Sequence, residues 1–247
     1  MKNILVIGAT GQIGSELTLE LRKRYGDDHV VAGYIPSAMP KGELKASGPS
    51  AIADVTDRQS IEVVARQFKI DTIYNLAALL SVVAESRPAM AWKIGIDGLW
   101  NVLEVAREYN CAVFTPSSIG SFGEATPHVK TPQDTIQRPR TMYGVTKVTT
   151  ELLSDYYYTK YGVGYTLGTF SGNHFERDPS GWRHYGLCGG YFLLCREGRK
   201  IRMSGEGRHV YGYDVYARRT ERGHLADGSG TGKAEAPQRF QHRLHEF

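Results

Sequence analysis

The sequence predicts an α/β fold with a doubly wound parallel sheet, followed by a tail of different character. Three observations support this prediction. Short apolar runs alternate with helical stretches, a glycine-rich loop separates the first strand from the first helix, and the composition changes after Val163. Strands that alternate with helices imply right-handed crossovers and a parallel sheet. In such folds, ligands bind at the carboxyl ends of the strands.

Five strands and four helices are expected before the change in composition. The strands are short apolar runs: Asn3–Ile7, His29–Tyr34, Ala51–Asp54, Asp71–Ala77 and Ala112–Pro116. The helices have apolar residues at helical spacing: one from about Ile13, one over 58–68 with Asp57 as its cap, one from Trp92 to Tyr109 and one from Tyr143 to Tyr161. This order is that of a Rossmann-type fold.

The overall composition is that of an ordinary globular chain of 247 residues, with 23% charged residues and a net charge of +4. No apolar stretch approaches the roughly 20 residues needed to cross a bilayer, so we do not expect a transmembrane helix. The first residues do not resemble a signal peptide. Three cysteines are too few for a disulfide framework, and they indicate a reducing cytoplasm.

The composition divides the chain into residues 1–163 and 164–247. The first part has 17 basic and 17 acidic residues and 39 residues of Ile, Val or Leu; the tail has 13 basic, 9 acidic and only 9 such aliphatics. The tail also holds 15 of the 28 glycines, and it is rich in Arg and His. A segment with so few aliphatic side chains has little to bury against its ordering entropy, so we expect it to be partly disordered.

The first motif is the loop Gly8-Ala9-Thr10-Gly11-Gln12-Ile13-Gly14 between the first strand and the first helix. In this arrangement Gly8 permits a tight turn, Gly11 lets a pyrophosphate approach the backbone, and Gly14 allows close packing of helix on strand. The helix amino end offers N–H groups and a positive dipole to the anion. We therefore expect a dinucleotide site, the alternative being a tight turn that binds nothing.

The sequence leaves the choice between NAD and NADP open. The second strand ends in Tyr34-Ile35-Pro36, without the acidic residue that usually holds the ribose hydroxyls and without an arginine for a 2′-phosphate. The missing arginine makes NADP the weaker candidate. Asp54, at the end of the third strand, either contacts the adenine or caps its own loop.

The second motif places a phenol and an ammonium one helical turn apart, in Tyr143-Gly144-Val145-Thr146-Lys147. A nearby ammonium favours the phenolate, so such a tyrosine can exchange a proton near neutral pH. Oxidation of an alcohol by hydride transfer needs that base. Ser117 and Ser118 follow the fifth strand, where their hydroxyls could bond the substrate oxygen. Each piece alone also occurs by chance or in turns.

Together these motifs resemble the extended short-chain dehydrogenase/reductase superfamily: GATGQIG, NLAA at 75–78, PSSIGSFG at 116–123 and YGVTK at 143–147. The longer segments YNLAALLSVVAESRP, WKIGIDGLWNVLEVA and TPQDTIQRPRTMYGVTK resemble bacterial L-threonine 3-dehydrogenases, which are related to nucleotide-sugar 4-epimerases. The resemblance covers residues 1–163. It implies NAD as the cofactor and oxidation of L-threonine at its 3-hydroxyl to 2-amino-3-ketobutyrate.

The resemblance also implies roles for individual residues. Tyr143 is the acid/base, Lys147 lowers its pKa and holds the nicotinamide ribose, and Ser118 together with Ser117 orients the substrate hydroxyl. The residues expected to contact the cofactor lie after the first, third and fourth strands and on the last helix: Gly8, Gly11, Gln12, Ile13, Gly14, Asp54, Leu76, Ala77, Ala78, Tyr143 and Lys147. Members of the family commonly form homodimers through two long helices, here 92–109 and 143–161.

The resemblance stops at Gly164, and the genetic code suggests a reason. Codons that spell Gly164–Gly172 can be chosen so that dropping their first base gives DTRLVRFP, and the same frame allows PGIISNVTLPGGGTTDYAV and TFMDMMYMPDA further on. These are the segments with which the family continues. We therefore predict that a one-base insertion near codon 164 put the tail out of frame, and that this chain has little or no dehydrogenase activity.

Three other functions stay open. Residues 1–163 could belong to a nucleotide-sugar epimerase or dehydratase, which shares both motifs, or to a non-catalytic dinucleotide-binding module. The tail could be a genuine Gly/Arg/aromatic segment that binds RNA or single-stranded DNA. Its charge of only +4, with acids interspersed, argues against a nucleic-acid partner. No metal site is expected, because the tail cysteines and histidines lack paired ligand spacing.

Overall fold

The computed structural model describes residues 2–127 and 135–170, together with short strands at 175–177, 183–185 and 216–217. The strands are β1 (Ile4–Ile7), β2 (Val30–Tyr34), β3 (Ser50–Ile52), β4 (Thr72–Asn75), β5 (Ala112–Ser118), β6 (Tyr165–Phe170), β7 (Phe175–Arg177), β8 (Arg183–Tyr185) and β9 (Tyr216–Ala217). The helices are α1 (Gln12–Tyr25), α2 (Gly42–Ala46), α3 (Arg58–Gln67), α4 (Ser81–Ser86), α5 (Pro88–Trp92), α6 (Gly98–Tyr109) and α7 (Met142–Tyr161).

The main sheet has the order β3-β2-β1-β4-β5-β6-β9, and β1 to β6 are all parallel. Ile4 lies beside Val30 on one side and beside Thr72 on the other, so the chain changes direction across the sheet between β1 and β4. A crevice for a ligand forms at such a switch point, outside the carboxyl ends of the strands. The predicted doubly wound parallel fold is confirmed.

Helices cover both faces of the sheet because the strand residues alternate between two cores. Leu5 and Ile73 point into one core, which α3, α6 and α7 complete. Ile4 points to the opposite face, where Leu17 and Leu21 of α1 pack against it. The four residues of β1 are at most 1% exposed, which is typical of a parallel strand with both faces buried.

The structure differs from the sequence prediction in three places that matter for the site. β5 runs to Ser118 rather than Pro116, so both serines lie within the strand. The helix predicted over 92–109 begins at Pro88, and a π-helical turn over Lys93–Asp97 interrupts it. β6 lies beyond Val163 and pairs with β5; Val113 lies opposite Tyr165 at one end and Ser118 opposite Phe170 at the other. This pairing gives hydrogen-bond partners to the backbone N–H and C=O groups at the outer edge of β5.

The predicted disorder of the tail falls outside the described residues, apart from the short strands. Of those, β7 pairs antiparallel with β8, and β9 pairs antiparallel with β6. Two short helices, α2 and α4, were not predicted, because a helix of five or six residues has too few positions to show a period. In the part of the chain that the structure describes, no helix has the length and apolar character to cross a membrane.

Candidate active site

The glycine loop after β1 depends on backbone that only glycine allows. Gly8 has a φ of +81°, which L side chains rarely adopt. A Cβ at Gly14 would lie 2.1 Å from the Gly8 carbonyl oxygen and 2.8 Å from Ala9 Cα. The Gly11 N–H donates to the same Gly8 oxygen at 3.1 Å. The predicted tight turn and close helix packing are therefore both present, and the geometry explains two of the three glycines directly.

The amino end of α1 follows this loop and suits an anion. The helix begins at Gln12 with Gly11 as its N-cap, and its first turn contains no acidic residue. The positive end of the helix dipole is therefore not neutralised within the helix itself. Gly11 and Gln12 are exposed, whereas Ile13 is partly buried. The residues present fit a dinucleotide pyrophosphate at this position.

The predicted cofactor residues after β4 lie against the same loop. The Leu76 N–H donates to the Ile7 carbonyl at 3.0 Å, and the Leu76 carbonyl carbon is 3.3 Å from where a Cβ of Gly8 would lie. Ala77 and the exposed Ala78 continue from there. The carboxyl ends of β1 and β4 thus bring the two predicted cofactor loops together, as their pairing in the sheet requires.

Asp54 lies two residues beyond β3, and its carboxylate is engaged in its own loop. Oδ1 accepts hydrogen bonds from the Thr56 backbone N–H at 2.9 Å and from the Thr56 hydroxyl at 2.8 Å. This is an Asx-type turn, one of the two roles that the sequence allowed. The geometry thus shows the loop role for Oδ1, and the contact with adenine stays a prediction.

The two serines of β5 point in different directions because successive strand residues alternate between faces. Ser118 lines a pocket, and its hydroxyl oxygen accepts the Gly120 N–H at 3.1 Å. Ser117 is only 2% exposed, does not line that pocket, and donates its hydroxyl proton to the Glu151 carboxylate. Of the two predicted serines, the structure brings only Ser118 to the pocket beside Tyr143.

Tyr143 lies in the first turn of α7, and two capping interactions hold that turn. The Thr141 hydroxyl oxygen accepts the Gly144 N–H at 3.0 Å, and a Glu85 carboxylate oxygen accepts the Met142 N–H at 2.5 Å. N-cap hydrogen bonds of this kind satisfy donors that have no partner within the helix. The tyrosine ring is partly buried and lines the pocket with Ser118.

Lys147 lies one turn further along α7 and is buried, with 6% of its surface exposed. Its Nζ donates to the Pro116 carbonyl oxygen at 2.7 Å and lies 5.5 Å from the centroid of the Tyr143 ring. Burial lowers the pKa of this ammonium from its usual 10.5 to about 8, and the negative charge of Glu151 acts in the opposite direction. The predicted phenol and ammonium therefore do face each other.

The pocket at this end of the sheet has a volume of about 380 Å³. Its lining combines hydroxyls, a guanidinium and small apolar groups: Ser81, Ser118, Ile119, Gly120, Phe122, Pro139, Arg140, Thr141 and Tyr143. A small polar substrate suits a pocket of this size and lining.

Two glycines inside the motifs PSSIGSFG and YGVTK also shape the site, and no role was predicted for them from the sequence. A Cβ at Gly120 would lie 3.1 Å from the Tyr143 ring, and one at Gly144 would lie 2.3 Å from the Gly120 carbonyl oxygen. They let the start of α7 rest on the turn that follows β5. Similarly, a Cβ at Gly95, in the π-helical turn, would lie 3.1 Å from the Thr146 side chain. Only their positions inside recognised motifs could have pointed to them.

Several known proteins are similar to this chain. An uncharacterized epimerase/dehydratase from Staphylococcus epidermidis is 47% identical over 200 residues, which are 80% of this chain and 62% of that protein. The solved L-threonine dehydrogenase from Clostridium difficile is 51% identical, with a TM-score of 0.65 over 70% of this chain and 54% of that chain. A UDP-glucose 4-epimerase from Thermotoga maritima is 26% identical, with a TM-score of 0.61 over 67% and 54%.

This chain thus spans 62% of the length of the first curated relative that it matches. The profile of the NAD dependent epimerase/dehydratase family matches residues 4–211, so the match runs past Val163, where the resemblance read from the sequence stops. The cofactor of this family is NAD, which the resemblance implied, whereas the glycine loop by itself left NAD and NADP open. The chain belongs to the NAD dependent epimerase/dehydratase family.

Proposed function

We propose that residues 1–163 carry the cofactor-binding and catalytic residues of an NAD-dependent L-threonine 3-dehydrogenase. The observation on which the proposal rests is the juxtaposition of Tyr143, Ser118 and the buried Lys147 at the carboxyl end of β5, on the same edge of the sheet as the glycine loop and separated from it by β4. The higher identity to a solved threonine dehydrogenase than to a solved epimerase favours threonine as the substrate.

The proposed reaction removes a hydride from the 3-carbon of threonine and a proton from its 3-hydroxyl, leaving a ketone. NAD, when bound, supplies the hydride acceptor. Tyr143 accepts the hydroxyl proton, and Ser118 donates a hydrogen bond that orients the substrate oxygen. Tyr143 must be a phenolate to accept that proton, and the buried Lys147 ammonium stabilises the phenolate before the transfer, because its charge acts in a site from which water is largely excluded.

We further propose that the tail from Gly164 onward is the out-of-frame continuation of such an enzyme. The codon argument supports this proposal, as does the contrast in aliphatic content between the two parts of the chain. On this proposal, residues after Val163 are not those with which the family continues, although the family profile matches as far as residue 211. Since closure excludes water and completes a site, we expect little or no turnover from the chain as it stands.

The decisive experiment compares this chain with a frame-restored version, in which one base is removed near codon 164. Both proteins are assayed for NADH formation on addition of threonine. We expect turnover from the frame-restored protein and none above background from the original. If the reading frame does not become longer when the base is removed, the proposal about the tail is wrong. If the frame-restored protein binds NAD but does not oxidise threonine, the proposed substrate is wrong.

The epimerase alternative is tested on the same frame-restored protein. A nucleotide-sugar 4-epimerase would convert a UDP-sugar without net formation of NADH, whereas a dehydrogenase accumulates NADH with threonine. A module that only binds NAD would do neither, and Tyr143→Phe would change nothing measurable in it. The three outcomes are therefore separate.

We also propose a homodimer formed through α6 and α7. Large apolar side chains on these helices are open to solvent, among them Trp100 (48% exposed), Leu152 (63%) and Tyr156 (44%). Exposed apolar surface of this kind is typical of an interaction site. Sedimentation of the frame-restored protein should give a dimer, and Leu152→Glu should shift it to a monomer; a monomer before mutation would contradict the proposal.

A further inference from the structure

A carboxylate on α7, that of Glu151, forms hydrogen bonds with two parts of the active-site region and acts electrostatically on a third. One of its carboxylate oxygens, Oε1, accepts the Ser117 hydroxyl, and the other, Oε2, accepts the Gln137 side-chain amide at 2.8 Å. It also lies one helical turn beyond Lys147, whose positive charge its own negative charge favours. Glu151 is thus placed between β5, the segment before α7, and the buried ammonium.

The chemistry of these contacts favours a carboxylate. Both Ser117 and Gln137 present donors to Glu151, and an ionised carboxylate is an acceptor on both oxygens. A glutamine at position 151 would accept from one partner and direct its own donor at the other. Because its hydroxyl donates a hydrogen bond to Glu151, Ser117 helps to hold the end of β5 against α7 and does not contact the substrate.

Gln137 belongs to a segment that forms one wall of the pocket, residues 135–141, here called the strap. Pro139, Arg140 and Thr141 of the strap line the pocket. Gln137 anchors the strap to Glu151, and its amide also lies 3.3 Å from the Ser121 hydroxyl. Removing Glu151 would therefore release one of the attachments of the pocket wall.

Lys147 is the residue on which the charge of Glu151 acts. Tyr143 and Glu151 face it from α7 itself, and the Pro116 carbonyl faces it from β5. Among the described residues, Glu151 is the charged group whose field acts to keep this buried ammonium protonated. Burial acts against the charge, so the two effects compete at Lys147.

We propose that Glu151 is a positioning residue of this active site: its carboxylate fixes Ser117 and the strap on α7 and places a negative charge one helical turn from the Lys147 ammonium. The catalytic meaning of this role rests on the proposed function. The contacts themselves do not, and they can be measured on the chain whether or not it turns over threonine.

The test uses the full chain labelled with ¹³C at the lysine ε-carbon, whose signal reports the titration of each amine. Lys147 is assigned from the signal that disappears in Lys147→Met. We expect Glu151→Gln to lower the titration midpoint of Lys147 by about 1 pH unit, because a nearby negative charge is lost. Glu20→Gln removes the same charge from an exposed ion pair on α1 and should leave the midpoint unchanged.

A second measurement follows the strap. Trypsin can cut the exposed bond after Arg140, and mass spectrometry quantifies the peptide that begins at Thr141. We expect Glu151→Ala to increase the rate of this cleavage roughly tenfold over the original chain, which is the effect of losing one hydrogen bond to a charged group. Glu20→Gln should leave the rate unchanged. If Glu151→Ala fails to fold, the titration of Glu151→Gln still decides the proposal.

The outcomes separate the two proposals. A Lys147 midpoint in Glu151→Gln equal to that in Glu20→Gln overturns the positioning role, and so does an unchanged cleavage rate in a folded Glu151→Ala. A frame-restored protein that binds NAD without oxidising threonine overturns the proposed function and leaves these two readouts as expected.

Discussion

The two ends of the candidate site are built by different means. The cofactor end, between β1 and α1, is formed by backbone: Gly8 at a φ of +81° and Gly14 with no room for a Cβ. The catalytic end, between β5 and α7, is formed by side chains: a buried ammonium and a carboxylate that form hydrogen bonds, and a phenol ring that faces the ammonium. Substitution at the first end should act through steric overlap, whereas substitution at the second should act through charge and therefore depend on pH.

The largest effect is expected at the catalytic end. In the frame-restored protein, Tyr143→Phe should reduce kcat roughly 10³-fold, because it removes the group that accepts the hydroxyl proton. The affinity for NADH, measured by fluorescence titration, should stay the same, since the glycine loop is untouched. An active Tyr143→Phe protein would show that another base serves the reaction.

The second largest effect is expected at the cofactor end. Gly14→Ala should lower the free energy of unfolding by about 3 kcal/mol or more, because the new Cβ would overlap the Gly8 carbonyl oxygen. The matched control is Gly42→Ala: Gly42 has a φ of +55° but nothing within 4 Å of a Cβ, so about 1 kcal/mol is expected. Chemical denaturation measures both. Equal costs would mean that the loop moves to accommodate the Gly14 Cβ, so that close packing does not govern this end.

The pH dependence of the catalytic end is tested by Lys147. Its folded-state pKa is lowered from 10.5 to about 8, so between these values the unfolded chain binds more protons than the folded one. Stability should therefore rise with pH across this window, by roughly 3 kcal/mol relative to Lys147→Met. Denaturation of the two proteins from pH 7 to 10.5 measures the difference. A constant difference would show that the ammonium is not destabilised by burial.

The smallest effect is expected at Asp54. Asp54→Ala removes the acceptor for two Thr56 donors, so unfolding free energy should fall by about 1 kcal/mol. Affinity for NADH should change little, because the carboxylate is used within its own loop. A tenfold loss of NADH affinity with unchanged stability would reverse this assignment and place Asp54 against the adenine.

The order of elements and the two main motifs were predictable because they depend on local patterns. Apolar runs, helical spacing and glycines at Gly8, Gly11 and Gly14 are written along the chain, and the parallel sheet follows from their alternation. The spacing of Tyr143 and Lys147 likewise places both on one helical face. Short helices such as α4 and the π-helical turn at Lys93–Asp97 were not predicted, because they leave no periodic signal.

The sequence by itself determined the fold class, the nucleotide-binding loop and the pairing of phenol with ammonium, since each is set by residues close together in the chain. Only the tertiary structure decided which serine reaches the pocket. Ser117 and Ser118 are chemically equal neighbours, and the direction of β5 against α7 sends one to Glu151 and the other to Tyr143. The link from Gln137 to Glu151 was also invisible in the sequence, because it joins a loop to a helix whose relative position only packing defines.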